Sequence, residues 1–211
     1  SLSFIQFIRE DLPKPVPEAV IDSLGRLERA NRRMAQLIDD LLRLSRVGRL
    51  ELRPEPLDVT GLVTEIWRDL GERFKDLAVN VEIETNMPRI VADKARITQV
   101  FENLLINAVK YGMTAPQPRI WVGTSAVDSE IRFFVRDNGA GIAPEFHHRI
   151  FSLFERLDTS KEGTGVGLAI VARVAQLHGG RAWVESSPGN GATFWVAFPS
   201  QLANIQEKEH L

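Results

Sequence analysis

The chain contains no cysteine. That excludes disulfides, thiolate metal sites and a cysteine nucleophile, and it fits a reducing cytoplasm. Long apolar runs are also missing: none approaches the roughly 20 residues of a bilayer span, and no signal-like N-terminus is visible. The expected location is therefore cytoplasmic, with any membrane anchor left to segments upstream. There is no charge excess either, since 26 basic against 28 acidic residues give a net −2. That balance argues against nucleic acid as the main partner. Histidine is scarce and poorly spaced for chelation. His147 and His148 are adjacent and point to different helical faces, and His210 sits in the tail. His178 precedes two glycines at a helix end, where a partly charged imidazole suits the dipole. With no HExxH or similar spacing, no transition metal is expected.

What is present is globular: 211 residues, 44% hydrophobic and 26% charged, enough for one large domain or a smaller one with an appendage. The N-terminal SLSFIQFIRE has a helical pattern without a cap, and Pro13, Pro15 and Pro17 interrupt it. From Glu18 to about Gly48 the periodicity is that of a long helix. Val20, Leu27, Met34 and Leu41 recur every seven residues, with Ala30, Leu37 and Leu44 as a companion row. Leu24 and Ile38 widen the stripe to one that suits a multi-helix bundle, so a second copy is the expected cover for it. The alternative is a helix lying on its own domain. Gly48, Pro54 and Pro56 mark a linker.

Beyond the linker the pattern is mixed α and β. Thr60 is the expected cap of a helix over 61–74, 78–85 alternates as a strand, and Asp93 caps a helix that Gly112 ends. Residues 119–126 and 130–137 read as strands around a turn at Asp128 and Ser129. Pro144 opens a helix towards Phe151, and Val166 to His178 forms another. Two last strands flank PGNG, Pro188 to Gly191. The tryptophans, Trp67, Trp121, Trp183 and Trp195, are scattered over separate elements and read as core or edge packing.

Three stretches carry polar signals that plain folding does not call for. Asn103 and Asn107 share a face of an otherwise apolar helix, although Asn competes with the helical backbone for hydrogen bonds. An amide oxygen there suits Mg²⁺, and Lys110 one turn on suits a phosphate. The alternative is a pair of amides bonded to nearby backbone. In DNGAGI, Asp137 can accept from an amino group, while Gly139 and Gly141 permit close backbone approach. An ordinary turn would read the same. EGTGVGLAI places three glycines at a helix start, a ready anion site that is neither a P-loop nor a dinucleotide fingerprint. A flexible linker is the bland reading, and the helix that follows without a gap argues against it.

In this order, NLLINAVKYG, DNGAGI, IFSLFERLD and GTGVGLAI resemble the N, G1, F and G2 boxes of sensor histidine kinases. These are GHKL ATPases, related to DNA gyrase and the mismatch-repair ATPases. The resemblance runs from about Pro56 to Pro199, and RRMAQLIDDLLRLSRVGR resembles the second helix of the dimerisation and histidine-phosphotransfer hairpin. It implies an α+β chain: a two-layer α/β sandwich, the Bergerat fold, preceded by a truncated helical hairpin. The implied division is a partial hairpin over 1–50, a linker over 51–57, a catalytic ATP-binding domain over 58–200 and a polar tail over 201–211. It also implies ATP and Mg²⁺ as cofactors. Asp137 would read the adenine amino group while Gly139, Gly141 and Ile142 pass beneath the base. Asn107 would hold Mg²⁺ with Asn103 beside it, Lys110 would balance phosphate charge, and Tyr111 would pack near the nucleoside. Gly163, Thr164, Gly165, Val166, Gly167 and Leu168 would form a lid presenting amides to the phosphates. Phe151 and Phe154 would anchor that lid, and Arg156 would be available to the nucleotide or the acceptor helix.

One departure stands out. The family's acceptor motif, of the form H-[ED]-x-x-x-P, does not occur in this chain. The resemblance therefore implies that the motif lies upstream, and that the chain binds ATP without phosphorylating itself at the usual site. The parent would form a homodimer through the hairpin and pass phosphate to an Asp of a response-regulator receiver domain. A non-catalytic nucleotide-sensing scaffold and a GHKL-type Ser kinase or ATPase are the competing functions.

Overall fold

The computed structural model describes residues 7–8, 11, 16–47, 52–74, 77–127, 129–158, 161 and 163–200. Most of the N-terminal helical pattern, the Gly48 helix end, Asp128 of the 128–129 turn and the C-terminal tail lie outside the described residues. The long helix forms as its periodicity requires: α1 spans Glu18–Val47. Pro17 presets its start, its carbonyl accepting from the N–H of Val20 at 2.9 Å. Of its apolar stripe, Leu24 is buried, whereas Leu27, Met34, Ile38 and Leu42 are each at least half exposed. The helix therefore does not bury its stripe on its own domain.

The expected linker is in fact paired. β1 (Pro54–Leu57) runs antiparallel to β3 (Ile90–Asp93). Pro54 and Pro56 fall on the same phase of the pleat, so only one row of N–H groups is lost and Glu55 and Leu57 keep theirs for the partner strand. Helix α2 (Val59–Phe74) is capped by Asp58, whose Oδ1 accepts from the Gly61 N–H at 3.1 Å, and not by Thr60. Thr60 lies one residue inside the helix. Its hydroxyl donates to the Glu84 carbonyl at 3.3 Å and accepts from the Met87 N–H at 3.1 Å. β2 (Asn80–Ile83) follows, then α3 (Lys94–Gly112), where Asp93 caps as expected by accepting from the Arg96 N–H at 3.1 Å.

β4 (Arg119–Val127), β5 (Glu130–Asp137), α4 (Gly167–Leu177), β6 (Arg181–Ser186) and β7 (Ala192–Pro199) complete the domain. The sheet order is β2-β4-β5-β7-β6, with β2 parallel to β4 and the other neighbours antiparallel. The helices pack on one face of the sheet. On β5, Ile131, Phe133, Val135 and Asp137 are buried, and Phe133 meets Phe101 of α3 edge-on at 6.0 Å.

The other face carries three of the four tryptophans. Trp183 and Trp195, opposite each other on β6 and β7, stack at 5.7 Å, and Arg136 lies over Trp121 at 5.4 Å. They are thus one surface and not scattered packing. The expected helix from Pro144 is two 3₁₀ turns, Pro144–Phe146 and Arg149–Phe151. The re-aimed chain buries Ile150 and lets His147 Nε2 donate to the Ile142 carbonyl at 3.2 Å. His178 is held at both ring nitrogens: Nε2 accepts from the Asp93 N–H at 3.3 Å, and Nδ1 donates to the Val174 carbonyl at 2.9 Å.

Asp93 thus joins α3, α4 and the start of β1, since its Oδ2 also accepts from the Arg53 N–H at 3.1 Å. Asp93→Ala should lower the unfolding free energy by about 1–2 kcal/mol in a urea titration. An unchanged midpoint would show that the cap carries no stability.

Candidate functional site

The site grows from the C-terminal ends of α3 and β5. Gly112, the last residue of α3, packs directly on Asp137, the last of β5: a Cβ at 112 would lie 3.2 Å from that of Asp137. Asp137 is only 3% exposed. Burial holds its carboxyl above the ordinary carboxylate range, partly offset by N–H donors from Gly139 and Ala192. The Gly139 N–H reaches Oδ1 at 2.8 Å.

The two glycines of DNGAG now have a physical cause. A Cβ on Gly139 would lie 2.8 Å from the Gly112 Cα, and one on Gly141 would meet the Ser187 carbonyl. The protein's own main chain fills both side-chain directions. Ile142 is held by its N–H donating to Ser186 Oγ at 2.8 Å, and Ser186 in turn donates to the Gly191 carbonyl at 2.6 Å.

The opposite wall is the segment leading into α4. Asn103, Asn107 and Lys110 share one face of α3 at intervals of four and three. Asn103 donates to the Gln99 carbonyl at 2.7 Å, and its Oδ1 lies 2.5 Å from where a Cβ on Gly167 would sit. Lys110 Nζ lies 2.8 Å from where a Cβ on Gly163 would sit. Half-buried Asn107 falls between them on that face of α3, while Lys110 and Asn103 lie against Gly163 and Gly167. Tyr111 follows, with its hydroxyl pushed up by burial.

Gly165 has φ +76, and a Cβ there would lie 2.7 Å from the Phe154 carbonyl carbon, so glycine is required. Val166 and Ala169 are buried, Leu168 packs against the core, and α4 starts with no side-chain cap. Its first N–H groups are a potential anion cradle.

The remaining residues hold that segment. Phe151 packs on the core. Phe154 is 52% exposed with φ 65, and it grips the segment by its main chain, its N–H donating to the Gly165 carbonyl at 3.0 Å. Arg156 is turned inward, donating to the Lys161 carbonyl at 2.5 Å. Thr164 is buried and its hydroxyl donates to Asp40 of α1.

Two participants escaped the sequence reading. Lys161 donates to the Lys110 carbonyl at 2.8 Å, and its ammonium lies 4.8 Å from the Tyr111 ring, with Lys110 at 4.9 Å. A lysine two residues before the first glycine was the available signal. Asp40 gave none, because it lies on a separate element. Among the described residues no group of three or more His, Cys, Asp or Glu can hold a metal. Any cation here would have to be held mainly by oxygens of a bound ligand and water, with the Asn107 amide as the candidate protein donor.

Residues 92–202 match the family of histidine kinase-, DNA gyrase B- and HSP90-like ATPases. The chain is 37% identical over 197 residues to the methanogenesis regulatory histidine kinase FilI of Methanothrix harundinacea (strain 6Ac), covering 93% of this chain and 22% of FilI. It is 38% identical over 169 residues to the phytochrome-like protein Cph1 of Synechocystis sp. (strain ATCC 27184 / PCC 6803 / Kazusa), covering 79% of this chain and 22% of Cph1. Among solved structures, full-length ShkA in complex with AMPPNP superposes with TM-score 0.70 at 30% identity, over 88% of this chain and 40% of ShkA. ThkA in complex with the response regulator protein TrrA gives 0.68 at 25% identity, over 93% of this chain and 55% of ThkA. The sheet with helices on one face is the Bergerat fold of histidine kinase catalytic domains. The chain belongs to the histidine kinase-, DNA gyrase B- and HSP90-like ATPase family and carries the ATP-binding domain of a sensor histidine kinase.

Proposed function

We propose that this domain holds Mg²⁺·ATP between the end of β5 and the 163–168 lid, and presents the γ-phosphoryl group to a His on a helical hairpin. The observation that carries the reading is a pair of features: a buried acceptor, Asp137, at the end of β5, and Lys110 and Asn103 lying against Gly163 and Gly167 of the glycine segment. Asp137 would accept from the adenine amino group, with Gly139, Gly141 and Ile142 shaping the wall beside it. Asn103 sets the start of α4 and so orients its free N–H groups towards the phosphates. Lys110 and Lys161 would offset phosphate charge around Tyr111. Mg²⁺, when held by Asn107, would neutralise charge on the phosphate oxygens. Positioning and charge neutralisation are the protein's main tasks in such a transfer.

Two observations support the wider role. The exposed stripe on α1 is of the kind a second copy covers. ThkA, a structural neighbour, was solved with a response regulator, which supports a receiver domain as the onward partner. No helix among the described residues is long and apolar enough to cross a membrane. A nucleotide-sensing scaffold is the second reading, favoured by the bond from α1 to the lid.

Asp137→Asn keeps the shape and removes the charge. It should weaken Mg²⁺·ATP binding by about tenfold or more, from the loss of a charge-assisted bond. Its stability should not fall at neutral pH. Because the folded-state value of Asp137 is raised by burial, the cost of the charge is present above that value and absent below the ordinary carboxylate range. The stability advantage of the variant should therefore shrink as pH falls through that window. Wild-type affinity in the variant would remove Asp137 from the site.

Transfer is tested with γ-labelled ATP and a separate hairpin bearing H-[ED]-x-x-x-P. Acid-labile, base-stable label on the hairpin is expected. Acid-stable label on Ser would favour the Ser-kinase alternative, and no label with intact ATP binding would favour the scaffold.

A further inference from the structure

Asp40 of α1 has no part in the nucleotide binding proposed above, yet it touches the lid at Thr164. One oxygen accepts from the Thr164 hydroxyl and the other from Gln36 Nε2 at 3.1 Å. Thr164 is 8% exposed and Asp40 is half-buried, so the bond is partly sheltered from water. It lies between Gly163, which abuts the Lys110 ammonium, and Gly165, which precedes the uncapped start of α4. A carboxylate supplied by the long helix is thus bonded to a residue flanked on both sides by groups suited to an anion.

Such a charge is out of place beside phosphates. In a partly dry setting like charges at short range oppose each other more strongly than in bulk water. Helix α1 and a triphosphate therefore compete for the same local potential, although they need not touch the same atoms.

We propose that Asp40 is an affinity-determining residue for the triphosphate: while its carboxylate holds Thr164, α1 is docked on the lid and phosphate binding is weakened. Linkage makes the effect reciprocal, so phosphate binding loosens the hold of α1 on the lid by the same factor. The long helix then reports nucleotide occupancy, and any force that moves it changes nucleotide affinity. The proposal rests on the ATP-site reading above, and it gives that site a control element on a separate part of the fold.

The test uses the whole chain with Asp40→Asn, which keeps an acceptor for Thr164 and removes only the charge. Mg²⁺·AMPPNP and adenosine are each titrated into both proteins by calorimetry, at low and high salt. The variant should bind AMPPNP about fivefold tighter or more, the low end of common coupling factors. Adenosine affinity should be equal in the two proteins, and the AMPPNP difference should shrink at high salt. A merely structural role would move adenosine as well and would be insensitive to salt. Equal or weaker AMPPNP binding by the variant, with adenosine unchanged, overturns the role of Asp40 and leaves the site reading standing. Failure of the wild-type chain to bind either ligand overturns the site reading and the Asp40 proposal with it.

Discussion

A buried carboxylate at the end of a central strand governs the architecture around it. Asp137 closes β5, which is hydrogen-bonded to β4 on one side and β7 on the other. At 3% exposure its charge is costly, so N–H donors must be aimed at it. Meeting that demand brings Gly139 back against the end of α3, and Gly112 has to be bare for the helix to come so close. The end of α3 is consequently fixed against β5. Lys110 and Tyr111, in its last turn, take their places from that contact. A fold optimised for stability alone would put an apolar residue at 137. The cost makes sense if a ligand repays it.

The lid is held at four points, and each hold is different in kind. Main-chain bonding from Phe154 grips Gly165, Asn103 backs the first residue of α4, and Arg156 ties in the stretch ending at Lys161. Only the fourth contact, from Asp40, comes from outside the domain. Domain-internal holds set a shape. An external one couples that shape to the position of α1. The exposed stripe on α1 matters here, because whatever covers it constrains where the helix lies relative to the lid.

Legibility in the sequence followed the range of the interactions involved. Local rules gave the Asp93 cap, the β4–β5 and β6–β7 pairs, α3 and α4, since each is decided within a few residues. They misassigned the cap of α2 because Thr60 and Asp58 are both acceptable, and the choice falls to long-range partners, Glu84 and Met87. In the sequence β1 reads as a linker because prolines at alternate positions look like breakers until an edge partner, β3, is available. Trp183 and Trp195 stack because the register of the β6–β7 pair sets them opposite each other, which the strand pattern alone does not fix. At the site the motif residues were visible, and the glycines were expected to make room for a ligand. The protein's own main chain already demands Gly139, Gly141 and Gly165, while Gly163 and Gly167 abut the side chains of Lys110 and Asn103. Asp40 and Lys161 were invisible for the opposite reason: ordinary charged residues acquire meaning only from what they face.

The central claim is that Asp137 recognises an exocyclic amino group on the base. It is tested most directly by comparing ATP with inosine triphosphate, which has a carbonyl oxygen in place of that amino group. Both would be titrated into the unmodified chain with Mg²⁺. The account predicts that the inosine nucleotide binds about tenfold or more weakly, because a buried carboxylate would face an acceptor where it needs a donor. Equal affinities would contradict it and would leave the buried charge at the end of β5 without a ligand to explain it.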